Sequence, residues 1–93
     1  MADFRVTVTH PARRDLARLP RKEQLRIAER IKSLQTSPFP RGNTIKKIQG
    51  TDLALYRLRV GNYRVIYVLE GSEVIIQHIV HRQSLEQAIR SMR

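Results

Sequence analysis

Three arginines, Arg57, Arg59 and Arg64, flank a Gly61-Asn62 pair in a stretch that alternates apolar and polar residues. The pair suits a two-residue hairpin turn of type II′, which takes glycine at its first central position. In that register Arg59 faces Arg64, and Arg57 lies on the same face. Like charges directly opposite one another destabilise a sheet, so these guanidiniums are suited to binding an anion. The alternative is a solvated polar face whose long side chains extend into water.

The strand predicted after the hairpin ends in two histidines and a fourth arginine. Because His78 and His81 are three residues apart, a regular strand points them to opposite faces, and no shared metal site is expected. Which histidine joins the arginine face depends on the turn at Gly71-Ser72. A turn of two or four residues places His81 there, whereas a turn of three residues places His78 and Arg82 there.

The charge balance is strongly basic. The chain has 18 Lys and Arg against 8 Asp and Glu, a formal net charge of +10, which favours polyanionic partners or serves solubility alone. It has no cysteine, which excludes disulfides, thiolate nucleophiles and cysteine zinc sites. A glycine-rich phosphate loop, paired carboxylates at catalytic spacing and a Ser-His-Asp arrangement are absent as well, so most enzyme classes lose support.

Length and apolar content predict one small domain, residues 1–93, with a modest core. The N-terminal residues lack the apolar segment of a signal peptide, and no stretch approaches the ~20 apolar residues of a membrane span. We therefore expect a cytoplasmic protein that does not associate with a membrane.

The elements that must position the arginines begin with a strand and a helical hairpin. Residues 4–9 alternate as a strand, and residues 11–19 predict a helix, because Pro11 suits the first helical position. Residues 21–36 predict a second helix after Pro20. Its apolar stripe is expected to contain Leu25, Ala28, Ile31 and Leu34.

The second half of the chain predicts a three-stranded meander over residues 53–60, 62–69 and 73–81. The three tyrosines fall on its apolar face and are expected in the core. With a final helix, the element order is β-α-α-β-β-β-α. This order predicts an α+β fold in which a helical hairpin packs on an antiparallel meander sheet.

The C-terminal helix has two candidate roles. Ser84 stands three residues before Gln87, the spacing of a capping box that would start the helix. The helix then either covers its own sheet or presents Leu85, Ile89 and Met92 to a partner.

Four segments carry a resemblance that spans nearly the whole chain. They are His10-Pro11-Ala12 with Asp15-Leu16 and Leu19, Lys47-Ile48-Gln49-Gly50, the hairpin from Tyr56 to Tyr67, and His81-Arg82. Together they resemble the RelE/ParE superfamily of toxins from toxin–antitoxin pairs, and the RelE branch more than the ParE branch. The resemblance implies a ribosome-dependent endoribonuclease that cleaves mRNA without a metal or cofactor. It also implies silencing by an antitoxin encoded alongside, and the net charge of +10 leads us to expect that this antitoxin is acidic.

The resemblance also assigns residues to roles. Arg57 and Arg59 match basic residues of the strand before the turn, while Arg64 and Arg82 match arginines that contact the scissile phosphate. The expected catalytic residues are Arg57, Arg59, Arg64, His81 and Arg82; the expected RNA-binding residues are Lys46, Lys47, Arg57 and Arg59; the expected antitoxin-binding residues are Leu85, Ile89 and Met92.

The family's usual reaction is attack by the ribose 2′-oxygen on the adjacent phosphorus, which needs a base, charge stabilisation and an acid. Arginine supplies only charge stabilisation, because its guanidinium pKa exceeds about 12. RelE-type toxins commonly carry a tyrosine a few residues after the position of Arg82, but here no tyrosine follows Tyr67. His81 is therefore the expected proton carrier, with His78 and Glu86 behind it.

Two other functions stay open at this point. A ParE-like toxin would share the scaffold but inhibit DNA gyrase by binding, without nuclease activity. A non-catalytic RNA-binding domain would use its basic helical hairpin to contact phosphates. The missing tyrosine favours the ParE-like toxin, whereas the retained Arg64 and Arg82 favour the nuclease.

Overall fold

The computed structural model of the chain describes residues 3–92. Its elements are β1 (Arg5–Val8), α1 (His10–Ala17), α2 (Arg21–Ser33), β2 (Ile45–Lys47), β3 (Leu55–Val60), β4 (Tyr63–Glu70), β5 (Glu73–His81) and α3 (Leu85–Ser91). A 3₁₀ turn, Arg82–Ser84, joins β5 to α3. The predicted α+β class and its order of helices and strands are confirmed, and β2 is an additional short strand.

The five strands form one mixed sheet in the order β1-β5-β4-β3-β2. Strands β2 to β5 pair antiparallel, which includes the predicted meander, whereas β1 pairs parallel with β5. Parallel neighbours need a long connection between them, and the intervening helices and meander supply it. The helical hairpin covers one face of this sheet and α3 covers part of the other.

The helical hairpin starts from a capped turn. The Thr9 hydroxyl accepts a hydrogen bond from the Ala12 amide (3.4 Å) and donates to the Ile76 carbonyl (2.7 Å), so it ties the start of α1 to β5. Pro11 lies in the first turn of α1, as expected.

Within residues 3–92, no helix is long and apolar enough to cross a membrane.

The buried face of α2 differs from the predicted stripe. Ile27, Ile31 and Leu34 are buried, whereas Leu25 is 58% exposed and Ala28 is exposed, so the prediction was wrong for these two positions. The spacing 27, 31, 34 is as helical as the spacing 25, 28, 31, and Ile27 buries more apolar surface than Ala28.

Two apolar clusters hold the fold together, one on each face of the sheet. The larger cluster lies under the helical hairpin and contains Tyr67, whose hydroxyl donates to the Pro38 carbonyl (2.7 Å). Burial and the neighbouring Tyr56 raise the pKa of Tyr67. The smaller cluster lies under α3, around Ile66. Tyr56 and Tyr63 pack against the larger cluster, which confirms the predicted core position of all three tyrosines.

The start of α3 also differs from expectation. Ser84 makes no side-chain capping hydrogen bond, because residues 82–84 form a 3₁₀ turn and leave it outside the extended conformation of an N-cap. The predicted capping box is therefore wrong. The capping role falls to His81, whose Nδ1 accepts a hydrogen bond from the Gln83 amide (3.2 Å).

Candidate functional site

The hairpin between β3 and β4 has the register predicted from its turn. Val60 pairs with Tyr63, and Arg59 pairs with Arg64 directly across the two strands. Gly61 has a φ of +58°, whereas Asn62 does not have a positive φ, as a type II′ turn requires. A local signal in the sequence was therefore enough to place these arginines.

Four arginines share the face of the sheet on the α3 side, which we call the arginine face: Arg57, Arg59, Arg64 and Arg82. In the register of the sheet, Arg59 and Arg64 form one row with Val80, and Arg82 follows two residues later. The Arg82 amide donates to the Asn62 carbonyl (2.8 Å), which holds the end of β5 beside the hairpin turn. The strand pairing thus brings together guanidiniums from β3, from β4 and from the 3₁₀ turn that follows β5.

The electrostatics of this face centre on Arg64. Its Nη1 donates to the carbonyls of Gly61 (3.0 Å) and Tyr63 (2.9 Å), so its guanidinium is held at the turn. Burial lowers the pKa of Arg64, and the charges of Arg57, Arg59 and Arg82 lower it further.

None of the four has a carboxylate partner within 4.0 Å in the described part of the chain. The ion pairs within 4.0 Å among residues 3–92 are His78 with Asp15 and Arg90 with Glu86. The arginine face therefore carries concentrated positive charge that a phosphate group would neutralise.

A groove of about 490 Å³ adjoins the arginine face between β2 and α3. It is lined by Lys46, Lys47, Ile48, Gln49, Arg57, Leu85, Glu86, Ile89 and Arg90. Lys46 lies opposite Arg57 in the sheet, and Arg57 donates to the Asn43 carbonyl (3.1 Å). Both lysines expected to bind RNA therefore share one groove with Arg57, as do two of the residues expected to bind an antitoxin.

The groove also contains a carboxylate. Glu86 lies 3.4 Å from Arg90 Nη2 through one oxygen, and most of its side chain is exposed. The sequence ranked Glu86 behind His81 as a proton carrier, because a histidine changes its protonation near neutral pH. The packing of α3, which the sequence does not show, places Glu86 and Arg57 in the same groove.

The position of the histidines was decided by an irregularity of the sheet. The turn between β4 and β5 has two residues, since Glu70 pairs with Glu73, and this length predicts His81 on the arginine face. A register shift between Ile66 and Tyr67 reverses the alternation, so that His78 pairs with Ile66.

His81 consequently pairs with Tyr63 on the opposite face, and its ring lies edge-on to Tyr63 with centroids 5.7 Å apart. Of the two placements that the sequence left open, the structure shows the one with His78, and not His81, on the arginine face. Its catalytic role stays a prediction.

His78 belongs to the arginine face by register, but its ring is engaged elsewhere. Its Nδ1 lies 3.1 Å from Asp15 Oδ2, and the same oxygen accepts a hydrogen bond from the Ile79 amide (3.0 Å). Asp15 of α1 thus provides an acceptor for a backbone amide on the edge of β5, beyond the point where β1 ends. Within residues 3–92, no group of three or more carboxylate or imidazole side chains could hold a metal ion.

The predicted antitoxin-binding residues Leu85, Ile89 and Met92 are half-buried against the smaller apolar cluster. Of the two roles open to α3, the structure shows the covering of its own sheet. These residues therefore could meet a partner only at their exposed edges or after displacement of α3.

Comparison with known proteins identifies the family. A family model described as the ParE toxin of the type II toxin–antitoxin system, parDE, matches residues 6–86. RelE1 of Methanocaldococcus jannaschii is 34% identical over 83 residues, which is 86% of this chain and 91% of RelE1.

Two solved structures share the fold over most of their length. The archaeal RelE–RelB complex from Pyrococcus horikoshii OT3 has a chain with 33% identity and a TM-score of 0.74, covering 86% of this chain and 96% of that chain. The toxin–antitoxin complex RelBE2 from Mycobacterium tuberculosis has a chain with 26% identity and a TM-score of 0.75, covering 86% and 99%.

The fold, the arginine face and the relatives all indicate the same family. The family model covers most of the chain, and the RelE relatives align with most of it at substantial identity. The chain belongs to the RelE/ParE superfamily, close to its RelE branch, and is the toxin of a RelE-type toxin–antitoxin system.

Proposed function

We propose that this toxin is a ribosome-dependent endoribonuclease that cleaves mRNA and thereby inhibits translation. The observation that carries the proposal is the arginine face, on which four guanidiniums converge without a carboxylate partner among the described residues. Such a face is suited to the charge that develops on a phosphate during strand cleavage.

In the proposed reaction, the ribose 2′-oxygen loses its proton and attacks the adjacent phosphorus. The new bond joins the 2′-oxygen to phosphorus, the bond to the 5′-oxygen breaks, and the leaving oxygen takes up a proton. The products are a 2′,3′-cyclic phosphate and a 5′-hydroxyl. Arg57, Arg59, Arg64 and Arg82 stabilise the pentacovalent phosphorane, because their charge is already in place when it forms.

Proton transfer falls to two other side chains. Glu86 lies in the groove with Arg57 and is the general base that the geometry supports. We assign the acid to His81, which lies on the opposite face of the sheet but directly precedes Arg82 of the arginine face. Its Nδ1 accepts a hydrogen bond from the Gln83 amide, so in the neutral ring Nε2 carries the proton that the leaving oxygen needs.

Single-turnover cleavage on programmed ribosomes tests this assignment. Glu86→Gln and His81→Gln should each lower the rate by ~10²–10⁴. Glu70→Gln, an exposed carboxylate at the far end of β4, is the matched control and should leave the rate unchanged. A loss below about threefold in either variant would remove that residue from the reaction.

The proposed partner is an acidic, partly disordered antitoxin. The relatives from Pyrococcus horikoshii and Mycobacterium tuberculosis were solved as complexes with an antitoxin, and the net charge of +10 suits an acidic chain. Leu85, Ile89 and Met92 are its proposed apolar contacts. Because Leu85 and Ile89 line the groove that contains Lys46, Lys47 and Arg57, an antitoxin bound there would exclude RNA.

A second candidate function is inhibition of DNA gyrase by binding. The match to the ParE family model and the absence of a tyrosine after Tyr67 favour it.

One experiment separates the two candidates. In vitro translation with mapping of mRNA ends should show cleavage within codons by the wild type and none by an Arg64→Ala and Arg82→Ala double variant. Arg5→Ala with Arg14→Ala removes two exposed arginines elsewhere and is the control for charge. Supercoiling inhibition without cleavage would instead establish gyrase as the target, and full cleavage by the folded double variant would refute the role of the arginine face.

A further inference from the structure

A fifth arginine lies at the hairpin turn but on the other side of the sheet. A Cβ atom placed on Gly61 would lie 2.9 Å from Nη1 and 3.3 Å from Cζ of Arg26. Arg26 belongs to α2, which packs on the face opposite to the arginine face. The absence of a side chain at Gly61 therefore lets this guanidinium rest against the turn, in addition to permitting the positive φ.

The turn consequently has a guanidinium on each side. Arg64 donates to the Gly61 carbonyl (3.0 Å), and the Arg26 guanidinium of α2 lies on the side of Gly61 where a Cβ would point. The turn residue Asn62 is exposed, and the end of β5 with Arg82 is hydrogen-bonded to it. Positive charge thus continues from the arginine face around the tip of the hairpin.

Arg26 has no ion-pair partner within 4.0 Å among residues 3–92, although Glu23 and Glu29 lie three positions away on either side in α2. Lys22 and Arg30, four positions away, share its side of the helix. Like charges at this spacing destabilise a helix, so folding alone does not account for the row of Lys22, Arg26 and Arg30. An anion outside the chain would relieve the repulsion.

We propose that Arg26 binds a backbone phosphate of the RNA and extends the arginine face across the Gly61-Asn62 turn onto α2. The inference rests on the proposed function, because it takes the RNA on the arginine face as its starting point. RNA is favoured over an acidic protein segment, since Arg26 is contiguous with the face that holds the scissile phosphate. Arg26 contacts a flanking nucleotide and takes no part in bond cleavage.

The experiment is single-turnover mRNA cleavage on programmed ribosomes, titrated with toxin at several salt concentrations. One ionic contact to a single strand contributes about 0.7 to the slope of log affinity against log salt concentration, equivalent to about fivefold in affinity at about 0.1 M salt. Arg26→Ala should therefore raise the half-saturating toxin concentration about fivefold and reduce this slope by about 0.7. The maximal rate should stay within about twofold, because Arg26 does not touch the reacting atoms.

Lys32→Ala is the matched control, because Lys32 is an exposed cation of α2 on a different side of the helix. Lys32→Ala should change neither the half-saturating toxin concentration nor the salt slope. Arg26→Lys should retain the salt slope of the wild type. Arg26→Gln, with its thermal unfolding measured, guards against a folding defect of the alanine variant.

Three outcomes overturn the inference while leaving the proposed function intact. They are equal behaviour of Arg26→Ala and Lys32→Ala, a loss of maximal rate at unchanged half-saturation, and a loss confined to antitoxin affinity. The last would assign Arg26 to the protein partner. If the wild type does not cleave mRNA on ribosomes, the proposed function fails, and the Arg26 contact fails with it.

Discussion

We predict that repulsion between the facing pair Arg59 and Arg64 lowers the free energy of unfolding of the toxin. The pair is next to Val60 and Tyr63, which close the two-residue turn as a hydrogen-bonded pair. Arg59 and Arg64 therefore occupy a non-hydrogen-bonded position, where side chains are closest, at Cβ separations of about 4.5–5.5 Å. The Arg59 side chain is exposed. Its replacement removes the repulsion without opening a cavity.

Arg59→Gln should raise the free energy of unfolding by about 0.2–1 kcal/mol at low salt, the range for one cross-strand pair. For a domain of this size, the midpoint of thermal unfolding should rise by about 1–8 °C. The gain should shrink as salt increases, because the screening length falls from about 30 Å at 0.01 M to about 3 Å at 1 M. The same variant should lose ~10²–10³ in cleavage rate.

Thermal and urea unfolding at both salt concentrations are the assay. Arg5→Gln is the matched control, because Arg5 is an exposed strand arginine that pairs with Glu73. The control should be neutral or slightly less stable. The reasoning fails if Arg59→Gln is no more stable than the wild type at low salt, or if its gain is unchanged at high salt.

Three further predictions concern the core, the sheet edge and the partner. Because burial raises the pKa of Tyr67, the unfolded chain loses this proton first, so stability is intact below about pH 10 and falls above it by up to about 1.4 kcal/mol per pH unit. Urea titrations of Tyr67→Phe should show a shallower decline, and an unchanged slope would contradict this account. Asp15→Ala should lower the free energy of unfolding by about 1–3 kcal/mol, because it leaves the Ile79 amide without its acceptor. Asp15→Asn retains an oxygen and should lose less stability. Equal losses in the two variants would be inconsistent with an acceptor role. The rate of antitoxin association, measured by stopped flow, should fall as salt rises from about 0.01 to 0.15 M, and a rate independent of salt would exclude electrostatic steering.

The sequence alone was sufficient for the class of fold and for the arginine hairpin. A two-residue turn with glycine first sets the pairing of its flanking strands, so Arg59 opposite Arg64 follows from neighbouring residues only. The tyrosines of the core likewise follow from alternation along each strand. The resemblance to RelE-type toxins rested on the same short-range patterns, and the relatives confirm it.

Only the tertiary structure decided the features that depend on contacts between distant segments. The register shift at Ile66 moved His81 off the arginine face, and such an extra residue leaves no signal in the alternation of β5. Strand β2 has three residues, too few for a pattern, and forms because β3 offers it an edge. The docking of α3 places Glu86 and Arg57 in one groove, and the packing of α2 brings Arg26 to Gly61. In each case the free energy comes from burial between segments far apart in the chain, which no local pattern records.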